Sequence, residues 1–229
     1  MLKIGHRGAM GYAPENTLAS FAKALELGVD GIELDVHLCK SGELVVIHDA
    51  RVNRTTNGKG LVIDKTLEEI KILDAGNGQH IPTLSEVLDF VDRRAAIDIE
   101  LKAEGIGKSV AEILRRYIQE YGWKNDLFMI SSFDYHELKR CHDSIPEVPF
   151  GPIIAAKPLD YALFAQSMKA DTIMPFYEFL NDEFVQDAHQ RGLKVMTWTV
   201  NRPEDIKKML NIGVDGIISN YPDRLSENK

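Results

Sequence analysis

Apolar positions along the chain follow two periods that alternate from end to end. Short runs with period-two or continuous apolar character predict strands over residues 2–6, 31–37, 43–48, 95–101, 127–131, 150–154, 171–174, 193–200 and 215–219. Between most of these runs the apolar residues recur at helical spacing. Within residues 17–27, Leu18, Phe21, Ala22 and Leu25 fall at i, i+3, i+4 and i+7, and Gly28 ends the segment. Residues 85–93, 109–121, 182–191 and 203–212 read the same way. No Pro/Ser-rich linker, low-complexity tract or internal repeat interrupts the alternation, which predicts a parallel sheet wrapped by helices.

Nine strands are one too many for an eight-stranded barrel, and the surplus has a local explanation. The second and third strands are separated by a few residues that include Ser41-Gly42. A parallel connection needs a dozen or more residues, so this pair is expected to form an antiparallel hairpin. A turn centred on Ser41-Gly42 would set His48 opposite Asp35. Eight parallel strands remain, and the expected fold is a (β/α)8 TIM barrel occupying residues 1–229 as a single domain. Its hairpin and loop excursion, about residues 38–80, would rise at the C-terminal mouth after strand 2. Residues 49–80, with Arg54-Thr55-Thr56-Asn57-Gly58-Lys59-Gly60 inside them, are long enough for a lid or site wall. A helix over 82–93 would follow.

Composition narrows the function classes. The 229 residues suit one α/β barrel, and 44% apolar content excludes disorder. The net charge of −8 argues against non-specific nucleic-acid binding, which needs a basic footprint. No run reaches the ~18 apolar residues of a membrane span, and the N-terminus lacks a signal-peptide core. Cys39 and Cys141 are too few for a disulfide framework and read as reduced thiols. The expectation is a cytoplasmic enzyme without stable membrane association.

The chemistry concentrates on strand ends. In residues 31–37, Ile32, Leu34 and Val36 share one face while Glu33, Asp35 and His37 share the other. Residues 95–101 repeat the pattern, with Ile97, Ile99 and Leu101 opposite Asp98 and Glu100, and Lys102 following. Apolar outer faces would pack on helices and turn the acids inward. Buried unpaired ions are prohibitive, so these carboxylates need cationic partners or a metal. Glu33, Asp35 and Glu100 can converge at the C-terminal mouth, where barrel active sites lie. Three carboxylates suit Mg²⁺ or Ca²⁺, whereas zinc would call for nearby His or Cys ligands. Pairing of Glu33 and Glu100 with Arg7 and Lys102 is the alternative. His6 and His48 each close a strand beside these acids, as an acid–base pair for phosphodiester cleavage would.

The ordered set HRG, PENT, GIELDV, HD and IELK resembles the glycerophosphodiester phosphodiesterase family, across essentially the whole chain from Ile4 to the DGII and YP segments. The resemblance implies His6 and His48 as acid–base residues, and Glu33, Asp35 and Glu100 as ligands of a divalent cation. It implies Arg7 and Lys102 as phosphate contacts, and Trp198 as an aromatic packed on glycerol. The substrate would be a small-molecule glycerophosphodiester, hydrolysed to sn-glycerol 3-phosphate and an alcohol. Glu15 and Asn16 read instead as a helix start, with Asn16 as a cap, and stay outside the catalytic set. The family's acidic TDxP-like ending is here Ser219-Asn220-Tyr221-Pro222, and the short excursion resembles the compact cytoplasmic branch.

Other classes make distinct demands. A lysophospholipase-D-like or phosphoinositide-cleaving enzyme would carry an apolar rim, and Phe133, Phe176, Tyr177 and Phe179 do not form a clear one in sequence. A non-catalytic phosphometabolite-binding barrel would lack a histidine or a carboxylate of the set. A sugar-phosphate isomerase or aldolase could use Lys102 but leaves the paired histidines unexplained.

Overall fold

The computed structural model describes residues 1–226. Its parallel strands are β1 (Leu2–His6), β2 (Gly31–Leu38), β4 (Ala96–Leu101), β5 (Phe128–Ser132), β6 (Phe150–Ile154), β7 (Thr172–Pro175), β8 (Lys194–Thr197) and β9 (Gly216–Ser219). The order runs β1-β9-β8-β7-β6-β5-β4-β2, and β1 pairs with β2 to close the ring. The expected (β/α)8 barrel is therefore the fold. A short strand, β3 (Leu44–Val46), returns antiparallel along β2.

Strand alternation sorts the side chains as the sequence pattern requires. Ile32, Leu34 and Val36 of β2 and Ile97 and Ile99 of β4 are fully buried outside the barrel wall, packed with Phe21, Leu84, Leu88 and Leu114 of the surrounding helices. Inside the barrel the composition is lopsided. Ile4, Ile153, Met174, Met196 and Ile218 fill one part with an apolar plug. β2 and β4 instead turn acids inward, with Glu33 in register with Asp98 and Asp35 with Glu100. His6 at the end of β1 is in register with Glu33.

Local signals account for most helix boundaries. α1 (Leu18–Glu26) starts at Thr17, whose side chain accepts from the Ser20 N–H. The loop helix α2 (Leu67–Lys71) and α3 (Leu84–Val91) both open with reciprocal capping boxes, Thr66/Glu69 and Thr83/Glu86. α4 (Gly107–Glu120), α7 (Asp182–Gln190) and α8 (Pro203–Asn211) match the periodic segments to within a turn. α2, α5 (Tyr135–Ser144) and α6 (Leu163–Ser167) were not among the expected helices. α5 buries only Glu137, Leu138 and Cys141, so its apolar stripe is too thin to read, and α2 and α6 span five residues each.

The hairpin differs from expectation by one residue. Val36 pairs with Val46 and Leu38 with Leu44, so the turn centres on Ser41 and not between Ser41 and Gly42. Cys39 and Glu43 close a three-residue loop, with Gly42 supplying the positive φ of 100° that such loops use. A one-residue slip exchanges the faces of a strand, and continued pairing would carry His48 opposite Leu34, toward the outer side. Pairing stops first. After Val46 the chain leaves β2 with a last hydrogen bond from the Ile47 N–H to the Asp35 carbonyl at 3.0 Å, and His48 turns into the mouth.

The excursion that follows has its own small core of Cys39, Val45, Ile47, Val52, Val62, Ile70, Ala75 and Ile81. Both cysteines are free and buried, and burial pushes the Cys141 thiol up to about 12. Among the described residues no helix is long and apolar enough to cross a membrane. Phe21 anchors α1, which carries the turn after β1, and it is fully buried. Phe21→Ala is expected to cost about 3–5 kcal/mol, read as a lower denaturant midpoint at unchanged m-value.

Candidate active site

The mouth of the barrel encloses a pocket lined by residues in or directly after all eight barrel strands, among them His6, Arg7, Glu33, His48, Glu100, Lys102 and Trp198. Asp35 lies beneath this lining and is fully buried, within 3.3 Å of Arg7 and 3.7 Å of Lys102. All eight residues singled out from sequence are thus brought to one locus.

The turn after β1 is built by close approach. Arg7 and Gly8 have φ of 51° and 85°, and a Cβ on Gly8 would meet Ser20 Oγ at 2.4 Å. Glycine is required there for α1 to pack on the turn. The same turn aims the Arg7 N–H at Glu33 Oε2, 2.9 Å away. His6 Nδ1 donates to Asn220 Oδ1 at 2.6 Å, leaving Nε2 3.9 Å from Glu33 Oε2. Burial, followed by the charge of Arg7, pushes the His6 imidazole down to about 4.

His48 is arranged in the same sense. Its Nδ1–H donates to Asp49 Oδ1 at 2.6 Å, and its Nε2 accepts from Lys102 Nζ at 3.2 Å. Lys102 also donates to Glu100 Oε1 at 2.8 Å and stands 5.9 Å from the centre of the Phe133 ring. His37, on the same face of β2 as Glu33, contacts the His48 carbonyl through Nε2 at 3.0 Å and so props the segment that carries His48. Trp198 is fixed by its Nε1–H donating to the Met174 carbonyl at 2.9 Å. Phe133 and Phe176 pack on the indole with centroids at 5.5 and 5.2 Å, and Phe133 is 48% exposed. This aromatic wall joins three strand ends that are far apart in sequence.

The three carboxylates fit a hard cation. Ligand oxygens of Glu33, Asp35 and Glu100 all lie within 4.8 Å of one another, and all three residues are buried. Asp35 Oδ1 is buried without a hydrogen-bond partner. Burial and then the neighbouring negative charges push Glu33 and Glu100 upward. Asp98 adds a fourth inward acid, raised to about 7 by burial, with Ser131 donating to one oxygen at 2.7 Å. Arg7 and Lys102 are the cations facing this group, and they leave its negative charge incompletely balanced. An oxygen-only set with surplus negative charge is the donor chemistry of Mg²⁺ or Ca²⁺.

Sequence reasoning misassigned PENT. The cap of α1 is Thr17, and Asn16 precedes the helix with φ of 57°. Asn16 is buried, donates through Nδ2 to Asp35 Oδ2 at 2.8 Å, and thereby orients a proposed ligand. Glu15 accepts from Arg7 Nη1 at 2.7 Å. Asn220 and Asp98 were also outside the expected set. Strand alternation already placed Asp98 inward, whereas nothing in the local pattern signals Asn220.

A model of the glycerophosphoryl diester phosphodiesterase family matches residues 6–224. A glycerophosphodiester phosphodiesterase of Caldanaerobacter subterraneus subsp. tengcongensis is 43% identical, over 98% of this chain and 96% of its own. One of Bacillus subtilis is 36% identical over 97% of this chain and 84% of its own. Among solved structures, an Oleispira antarctica phosphodiesterase in complex with the product sn-glycerol-3-phosphate is similar, with a TM-score of 0.90 and 32% identity over 98% of this chain and 94% of that one. A match from the first histidine nearly to the last described residue, on this fold, identifies the chain as a member of the glycerophosphoryl diester phosphodiesterase family and an enzyme of that class.

Proposed function

We propose that the enzyme hydrolyses glycerophosphodiesters to sn-glycerol 3-phosphate and an alcohol, using His6 and His48 as acid–base groups and a divalent cation, Mg²⁺ or Ca²⁺, held by Glu33, Asp35 and Glu100. The observation that carries this reading is the paired arrangement of the histidines. Each ties Nδ1 to a fixed oxygen, Asn220 Oδ1 or Asp49 Oδ1, and each lines the pocket with the rest of its ring.

When bound, the cation supplies charge neutralisation at a phosphoryl oxygen. Arg7 and Lys102 bring two more positive charges to the same pocket and orient the diester. Either water attacks phosphorus while the bond to the alcohol oxygen breaks, or the substrate's own glycerol 2-hydroxyl does so and water then opens the resulting cyclic phosphate to glycerol 3-phosphate. One histidine accepts the proton of the attacking oxygen, and the other returns a proton to the departing alkoxide. Trp198, braced by Phe133 and Phe176, offers its face to the glycerol carbons.

The test is glycerol 3-phosphate release across glycerophosphodiesters of choline, ethanolamine, glycerol and inositol, with choline release from lysophosphatidylcholine alongside. Release from the water-soluble diesters is expected. Cleavage of the lysolipid alone would move the reading to the lysophospholipase-D-like alternative, and no product from any of them would overturn it.

A further inference from the structure

Arg54 lies in the excursion, outside the pocket lining, with its side chain 47% exposed. Even so, its guanidinium makes two forked pairs. Nε and Nη2 donate to Asp49 Oδ2 and Oδ1 at 2.8 and 2.9 Å, and Nη1 and Nη2 donate to Glu15 Oε2 and Oε1 at 2.8 Å each. Each carboxylate then holds a group that lines the pocket. Asp49 Oδ1 accepts His48 Nδ1–H at 2.6 Å, and Glu15 Oε1 accepts Arg7 Nη1–H at 2.7 Å.

From this geometry we propose that Arg54 is a positioning residue that sets the His48 imidazole and the Arg7 guanidinium together from outside the pocket. The proposal rests on His48 as an acid–base group and Arg7 as a phosphate contact. A planar fork reads two carboxylates at fixed angles, which an ammonium cannot do. Arg54 also holds the Asp49 carboxyl well below the usual carboxylate range, so Asp49 stays an acceptor and keeps the His48 proton on Nδ1. The loop itself is anchored. Val52 and Val62 sit in the excursion's core, Thr56 Oγ1 donates to the Val52 carbonyl at 2.7 Å, and the Gly58 N–H donates back to Thr56 Oγ1 at 3.0 Å. The Arg-Thr-Thr-Asn-Gly run thus fixes where the fork stands.

The two arms act on different kinetic constants, which a merely structural role would not separate. Asp49→Asn is expected to lower kcat roughly 10–100-fold with little change in KM, and Glu15→Gln to raise KM with little change in kcat. Arg54→Ala should show both effects, and adding Asp49→Asn to it should not lower kcat further. Arg54→Lys, which keeps the charge without the forks, should give the same split at smaller amplitude and serves if the alanine variant fails to fold. Steady-state kinetics on glycerophosphocholine, with thermal melts of each variant, decide it. Arg54 variants within about threefold of wild type in both constants, with His48→Ala inactive, would overturn the positioning role alone. Near wild-type turnover in His48→Ala would instead remove the reading beneath it. Losses at all three positions, Glu15, Asp49 and Arg54, that follow the fall in melting temperature, with no split between constants, would also overturn it.

Discussion

His48→Ala, and separately His6→Ala, is expected to lower kcat by about 10²–10⁴-fold at saturating divalent cation, the usual contribution of a positioned acid or base. The two substitutions differ in structural cost. The His48 side chain is 31% exposed, so its removal should leave the melting temperature nearly unchanged. His6 is more enclosed and satisfies Asn220, and its loss leaves a partly buried amide oxygen with one fewer partner, worth about 1–3 kcal/mol. His6→Gln can retain a donor toward Asn220 without an imidazole, and should be as inactive as the alanine variant while melting closer to wild type. On the proposed acid–base roles the two histidines act in one transfer of protons, and the double variant should fall little below the worse single variant. Near wild-type kcat in either single variant would remove that histidine from the mechanism.

Asp35→Asn is expected to weaken divalent-cation binding by at least about 100-fold, a loss of roughly 2.7 kcal/mol, measured by calorimetry on metal-free protein. Asp35 is fully buried, faces Arg7 Nε at 3.3 Å and Lys102 Nζ at 3.7 Å, and accepts from Asn16. Asparagine keeps the shape and removes the charge. If the carboxylates served only as ion-pair partners of Arg7 and Lys102, wild type would bind no cation. Asp35→Asn would then destabilise the fold by about 3–5 kcal/mol through unpaired buried cations. A cation site gives the opposite pattern. Wild type gains stability with rising Mg²⁺ or Ca²⁺, by about 2.7 kcal/mol at 100 times the dissociation constant, and the variant does not.

The inward acids and the outer apolar faces of β2 and β4 were legible because a strand repeats every two residues and GIELDV and IDIEL alternate without exception. The barrel followed from counting such strands and folding one back as a hairpin. The hairpin's register was less legible, since Ser41-Gly42 fits a two-residue turn as readily as the end of a three-residue one, and the difference moves His48 by one position. The role of PENT was hidden by its helix-start composition. Thr17 does the capping, which frees Asn16 and Glu15 to reach Asp35 and Arg7. Asn220 and Arg54 join the site from chain positions 214 and 39 residues away from their partners His6 and Glu15, beyond the reach of any local pattern. α5 escaped notice for an energetic reason: with two apolar side chains in its buried face, the helix depends on Asp134 capping and on packing against α4.

The most direct measurement is glycerol 3-phosphate release from glycerophosphocholine by the wild-type enzyme before chelation, after exhaustive chelation, and after addition of Mg²⁺ or Ca²⁺. Release that disappears on chelation and returns with the cation, in wild type but not in Asp35→Asn, is the expected result. Release that persists undiminished after chelation would contradict a cation held by Glu33, Asp35 and Glu100 and leave those acids as ion-pair partners of Arg7 and Lys102.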